Sequence, residues 1–166
     1  RVETDWPGLT TGEDNICHRA ARMLKEQYRV EVGVQINIYK KIPPAAGLGG
    51  GSSDAAAVLL GLNRLWELGI PGQELGRYAA DLGADVPFFL DGPAAMAKGR
   101  GEILSPLPSV GLHLVVAWPG TGLSTPDVYH EWDRCPGHGR HDLAGMLAAI
   151  EKGDSELIAR GLRNDL

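Results

Sequence analysis

The sequence predicts a mixed α/β fold, and three observations carry that reading. Residues 32–39 alternate Val32, Val34, Ile36 and Ile38 with Gly33, Gln35, Asn37 and Tyr39, the period of a half-buried strand. Four glycines then crowd into positions 47–51. Directly behind them, residues 52–66 carry Ala55, Val58, Leu59, Leu62, Leu65 and Trp66 as one apolar stripe at helical spacing. Strand, glycine turn and helix follow one another without a gap.

The flanking elements follow in order. The opening RVETDWPGLTTGEDN is polar, carries Pro7, Gly8 and Gly12, and reads as a loop leading into a helix. Asp14 or Asn15 can cap that helix, and Ile16, Ala20, Ala21, Met23 and Leu24 give it a buried face as far as about Tyr28. Pro43 and Pro44 end the strand that follows. Ser52 or Ser53 can cap the helix over residues 52–66. A second helix is expected over residues 72–82, stopped by Gly83. Short strands are expected at residues 88–90, 94–98 and near 102–104. Pro106 and Pro108 mark a joint, dividing a first unit, residues 1–108, from a second, residues 109–166. HLVVAWP, residues 113–119, reads as a buried strand opening another layer. Helices are expected at about residues 125–132, 142–151 and 155–162, with CPGHGRH a loop between the first two.

Composition bounds the function. The chain has 166 residues, 43% hydrophobic and 22% charged, ordinary for a soluble globular protein of one domain or one and a half. A net charge of −5 argues against a nucleic-acid backbone as partner. No apolar run approaches the roughly 18–20 residues that span a bilayer, so no membrane partner is expected. Cys17 and Cys135 lie too far apart in a two-cysteine chain to imply a disulfide framework, which makes a reducing cytoplasm the default. The chain opens on Arg1 and closes on RGLRNDL with no terminal motif, and is expected to be an internal piece of a longer protein.

Glycine costs roughly 0.5–1 kcal/mol relative to alanine in a regular element, so a cluster ahead of a helix calls for a reason. Helix N-termini leave amide N–H groups unsatisfied and carry partial positive charge, and residues without Cβ let that backbone approach an anion. The plainer reading is a tight turn with capping serines. Two common phosphate loops are excluded. G-x-x-x-x-G-K-S/T fails because no lysine lies between Lys41 and Lys98, and G-x-G-x-x-G fails because Ser52 stands where the third glycine belongs.

The segment PPAAGLGGGSSDAA resembles the phosphate-binding motif of the GHMP kinases, typically Pro-x-x-x-Gly-Leu-Gly-Ser-Ser-Ala. LGADVPFFLDGPAAMAKGRGEILSPL, residues 82–107, and PGTGLSTPDVY, residues 119–129, resemble further blocks of the branch that phosphorylates 4-diphosphocytidyl-2-C-methyl-D-erythritol. The resemblance implies a GHMP kinase fold, an N-terminal ATP-binding domain followed by the start of a C-terminal domain. It implies a kinase of isoprenoid precursor synthesis that uses ATP with Mg²⁺. The alternatives are a GHMP kinase acting on homoserine, mevalonate or a sugar, or a nucleotide-binding piece without catalysis.

Residue by residue, the resemblance puts Pro43, Pro44, Ala45, Ala46, Gly47, Leu48, Gly49, Gly50, Gly51, Ser52 and Ser53 on ATP, with positions 49–52 nearest the β- and γ-phosphates. Lys40 and Asn15 match positions beside the nucleotide base. Asp54 matches a position that is Asn or Asp, where it either contacts Mg²⁺ through water or simply favours the helix dipole. Asp85 matches the catalytic aspartate; without the motif it would read as a cap on the turn before Pro87. Ala84, Asp85, Arg100, Thr125 and Tyr129 match substrate contacts, with the Tyr129 ring able to stack on cytosine and otherwise a half-buried surface aromatic. Lys98 and Arg100 could screen the diphosphate or be solvated charges. His130, Cys135, His138 and His141 are plausible zinc ligands by type. Their C-x2-H-x2-H spacing matches no standard finger, and a polar surface loop is expected with no resident metal. The family's opening strand and its second glycine motif have no counterpart here, so this piece alone is expected to be a poor or inactive kinase. A monomer or weak homodimer is expected.

Overall fold

The computed structural model describes residues 1–99, 101, 103–118, 120–134 and 142–164. Its first element, β1 (Val2–Thr4), lies inside the stretch expected to be a loop. Val2 supplies the reason. It is buried together with Cys17 and Ile38, so a single apolar residue in a polar stretch finds a core. Helix α1 (Ile16–Gln27) carries the chain to β2 (Ile36–Ile38), which pairs parallel to β1 with Val2 opposite Ile36 and Thr4 opposite Ile38. Parallel neighbours need a crossover, and α1 supplies it. The strand is shorter than the alternation over residues 32–39 predicts. β1 offers only three partners, and Val32 is left 61% exposed.

Helix α2 (Gly50–Leu65) starts two residues before its expected position. The backbone turns left-handed at Gly49, φ +68°, and the helix begins with the next residue. Neither Ser52 nor Ser53 caps it; the Ser53 hydroxyl instead donates to the Gly50 carbonyl at 2.9 Å. Helix α3 (Gly72–Leu82) packs across α1 and α2. Ala20, Leu24, Ala55, Leu59 and Ala79 are fully buried at the centre of this three-helix contact. Asn63 fixes the α2–α3 connection, donating to the Ile70 carbonyl at 3.0 Å and accepting from the Ile70 amide at 2.9 Å. Where α1 meets α3, Tyr28 and Tyr78 both donate to Glu74 Oε1, at 2.8 and 3.2 Å. The Tyr78 hydroxyl, burial and the Glu74 carboxylate together push the Tyr28 phenol well above its usual range.

Residues 88–90, expected as a strand, form one turn of helix, α4 (Phe88–Asp91). Pro87 already has helical φ and ψ of −57° and −36°, and proline is tolerated where a helix starts because no amide is needed there. β3 (Ala95–Lys98) and β4 (Ile103–Pro106) pair antiparallel, as a hairpin from Ala95 opposite Pro106 to Lys98 opposite Ile103. Residues 113–118 do not form the buried strand expected over 113–119, whose last residue lies outside the described residues. Leu114, Val115 and Val116 are 71%, 98% and 63% exposed, and none of the described residues pairs with this run. An apolar run without a neighbouring strand must leave its amides to water, and composition alone could not report that. Three helices close the chain, α5 (Thr125–Arg134), α6 (Leu143–Lys152) and α7 (Ser155–Gly161), close to expectation. No helix among the described residues is long and apolar enough to cross a membrane.

Leu59 is fully buried between α1 and α3. Leu59→Ala is expected to cost roughly 2–5 kcal/mol, read as a lower urea midpoint with an unchanged slope.

Candidate functional site

The glycine turn is built by backbone requirements that side chains elsewhere enforce. Ala45, Gly47 and Gly49 all have left-handed φ, of 54°, 69° and 68°. A Cβ on Gly49 would fall 2.7 Å from the Phe89 ring, and one on Gly50 would fall 2.8 Å from Ile42 Cγ2 and 3.1 Å from Lys40 Nζ. Glycine is therefore required at both positions, for conformation and close approach at Gly49 and for close approach at Gly50. The glycine N-cap has no side chain to satisfy the first-turn amides, and no acidic residue occupies that turn. The first residues of a helix have no intrahelical acceptor for their N–H groups, which stay available to an anion.

Beside the turn lies a cavity of about 240 Å³. Six residues expected at the site share its wall: Asn15, Lys40, Pro44, Ala45, Gly51 and Asp54. Lys40 and Asp54 form an ion pair there, with side-chain exposures of 4% and 31%. Asn15 is committed to capping α1. Its Oδ1 accepts from the Cys17 and His18 amides at 2.8 and 3.4 Å, and its Nδ2 donates to the Thr10 carbonyl at 2.7 Å. Pro43 and Ala46 are half-buried, while Gly47 and Leu48 are exposed on the turn. Ser52 and Ser53 are half-buried within the first turn of α2.

Asp85 lies on the exposed turn after α3, between half-buried Ala84 and fully buried Val86. Its carboxylate makes no hydrogen bond or ion pair among the described residues. Gly101 passes over this turn, where a Cβ would come within 3.5 Å of the Ala84 carbonyl and 3.7 Å of Asp85 Oδ1. One helical turn beyond Asp85, Phe89 packs against Gly49, so the aspartate's segment and the glycine turn share a contact. Tyr129 is 51% exposed on α5 and does not line the cavity. Thr125 begins the same helix. Arg100, Cys135, His138 and His141 lie outside the described residues, and His130 is exposed on α5. Among the described residues no group of three or more His, Cys, Asp or Glu stands close enough to hold a metal ion.

Three contributors escaped the sequence reading. Cys17 lines the cavity, Phe89 shapes the turn, and Asp5 anchors the end of β2 by accepting from the Lys40 amide at 2.8 Å. Cys17 stands three and seven residues ahead of buried Ala20 and Leu24, on one face of α1, which was its available signal. The other two depend on contacts between distant segments. Burial first, and then the Asp54 charge, push the Cys17 thiol from its usual 9.0 to about 12, against a lowering by Lys40.

Comparison with known proteins follows the same lines. Residues 15–93 match the family model of the GHMP kinases N terminal domain. A 4-diphosphocytidyl-2-C-methyl-D-erythritol kinase from Thermoanaerobacter pseudethanolicus is 41% identical over 93% of this chain and 54% of its own length. A crystal structure of 4-(cytidine 5'-diphospho)-2C-methyl-D-erythritol kinase superposes with a TM-score of 0.69 at 36% identity, over 92% of this chain and 55% of that one. A homoserine kinase from Cytophaga hutchinsonii superposes with a TM-score of 0.66 at 19% identity, over 99% of this chain and 58% of that one, a likeness of fold alone. Residues 15–93 are thereby a GHMP kinase N-terminal domain. Within that family its relatives include the 4-diphosphocytidyl-2-C-methyl-D-erythritol kinases, and it spans about half the length of the curated relatives it matches.

Only a thiolate reacts readily with alkylating agents. Native Cys17 is expected to resist iodoacetamide at pH 8 and to react on unfolding, as read by peptide mass spectrometry. Because its folded pKa lies above 9.0, its contribution to stability is whole below pH 9 and is lost as pH rises toward about 12. Urea midpoints measured across that range should fall, and should fall less in Cys17→Ala.

Proposed function

We propose that this chain is the ATP-holding part of a kinase that transfers the γ-phosphate of ATP to the 2-hydroxyl of 4-diphosphocytidyl-2-C-methyl-D-erythritol. The product is the 2-phosphate, an intermediate of isoprenoid precursor synthesis by the non-mevalonate route. One observation carries the reading: a left-handed glycine turn opens the sixteen-residue helix α2 with uncapped amides, at the mouth of a cavity. The relatives' names support the substrate.

In this reading residues 43–53 wrap the phosphates. The turn's amides and the dipole of α2 stabilise charge that grows on the transferred group. Lys40 and Asn15 border the base, and Asp85 orients the attacking hydroxyl and accepts its proton. Its exposure, with no partner among the described residues, suits it to receive a substrate hydroxyl. Ala84, Arg100, Thr125 and Tyr129 hold the cytidyl substrate. Mg²⁺ takes most of its ligands from phosphate oxygens and water and few from protein. The donor set fits that habit, since Asp14 and Asp54 are the two carboxylates on the cavity wall. When bound, the ion would neutralise phosphate charge. The protein is further read as cytoplasmic, as a monomer or weak homodimer, and as divided near residue 108 into an ATP-binding domain and the start of a second one.

A second reading, nucleotide binding without catalysis, is favoured by the chain spanning about half of its relatives' length. Assays of the 166-residue chain and of the whole natural polypeptide separate the two, and equal turnover would remove the second. In the whole polypeptide, Asp85→Asn is expected to lower kcat by roughly 10²–10⁴-fold with ATP affinity retained. Unchanged turnover removes Asp85 from the chemistry. Competition by CDP, with none by homoserine, mevalonate or sugars, is expected if the substrate is cytidylyl.

A further inference from the structure

We infer that the Lys40–Asp54 ion pair is a positioning device, closing the base of the loop over residues 41–49 and so holding the glycine turn in the shape that grips a polyphosphate. The inference deepens the nucleotide reading above and rests on it.

The loop runs from the end of β2 to the first residue of α2, and both of its ends are pinned by the same lysine. On one side the Lys40 amide donates to Asp5 Oδ1 at 2.8 Å, while the Asp5 amide donates to the Ile38 carbonyl at 3.3 Å. The strand exit is thereby tied to the end of β1. On the other side the Lys40 ammonium pairs with Asp54, one helical turn into α2. It crosses directly over Gly50, whose missing Cβ would stand 3.1 Å from Nζ. Loop closure is an entropic cost that a link between the ends removes from the ordered state.

The lysine acts through the aspartate. Its side chain is 4% exposed and its ammonium is already taken by Asp54. The pairing also removes a conflict, because an unpaired carboxylate on the cavity wall would repel phosphates approaching the amides of α2. A pair that served charge alone would behave differently on substitution. Removing the carboxylate would then tighten a polyanion and removing the ammonium would loosen it. A positioning pair gives the same sign for both, since either loss frees the turn.

The test is calorimetric titration of ATP, ADP, AMP and adenosine, all without Mg²⁺, into the whole natural polypeptide, as wild type, Lys40→Met, Asp54→Asn and the double variant. Each single substitution is expected to weaken ATP at least roughly tenfold, with losses growing with phosphate number, and Asp54→Asn is expected to weaken adenosine less than about threefold. The double variant is expected to be no weaker than the worse single one, because the two groups act as a unit. Tighter ATP binding by Asp54→Asn overturns the inference in favour of simple charge. Equal losses for all four ligands overturn it in favour of general destabilisation, and unchanged affinities overturn it outright. Asp54→Asn keeps the side chain's shape at a partly exposed site, so its ATP affinity decides the sign even if Lys40→Met fails to fold. A wild type that ignores ATP refutes the nucleotide reading itself, and the inference falls with it; a wild type that binds beside unaffected variants strikes the inference alone.

Discussion

The close approach of α1 and α2 is the constraint on which the rest depends. It is permitted by alanines: Ala20 on one helix and Ala55 and Ala56 on the other are buried to 1% or less. Leu24 and Leu59 fill what remains, so the contact is dense and intolerant of added volume. Its consequence lies at the N-terminal ends of the two helices. The start of α1 brings Asn15 and Cys17 to one wall of the cavity, and the start of α2 brings Gly51 and Asp54 to it as well. A Cβ at Gly51 would stand 4.0 Å from Ile16, which shows how little space separates the two starts. Wider spacing of the helices would open that wall and part the residues along it.

The site therefore gets its shape from rigid elements and its chemistry from backbone. The N–H groups of a helix start need no rotamer to be correct, only a turn that leaves them bare. Side chains here serve mainly to forbid alternatives. Phe89 and Ile42 occupy the space that Cβ atoms on Gly49 and Gly50 would need, and Asn15 spends its Oδ1 on its own helix and its Nδ2 on the Thr10 carbonyl. The exposed carboxylate of Asp85 is the exception, a group that no described residue engages.

Much of this was legible in the amino-acid string, for identifiable reasons. Helices α1, α2, α3 and α5 to α7 announced themselves because an apolar stripe at helical spacing is a local property. The glycine turn was legible because no other composition lets a backbone approach so closely. What failed was whatever depended on a distant partner. β1 hides in a polar stretch because Val2 alone carries its burial, through contact with residues in α1 and β2. The 113–119 run looked like a core strand, yet Leu114, Val115 and Val116 are exposed and no strand among the described residues pairs with it. Residues 88–90 were misread for the opposite reason: two phenylalanines and a leucine favour a strand, but Pro87 and the turn bonds from Phe89 to Val86 and from Leu90 to Pro87 wind them into helix. The capping serines were overruled by a left-handed glycine that started the helix before them.

The chain comes back to the glycine turn from an unexpected direction. The Leu123 amide donates to the Ala45 carbonyl at 3.4 Å, and a Cβ on Gly122 would lie 2.6 Å from the Cβ of Ala45. Trp118, on the same returning segment, leans on Trp6 with ring centres 6.3 Å apart. Positions 45 and 122, far apart along the chain, thus draw on one allotment of space. Bulk added at either must be surrendered at the other, so neither residue can drift in size independently of its opposite number.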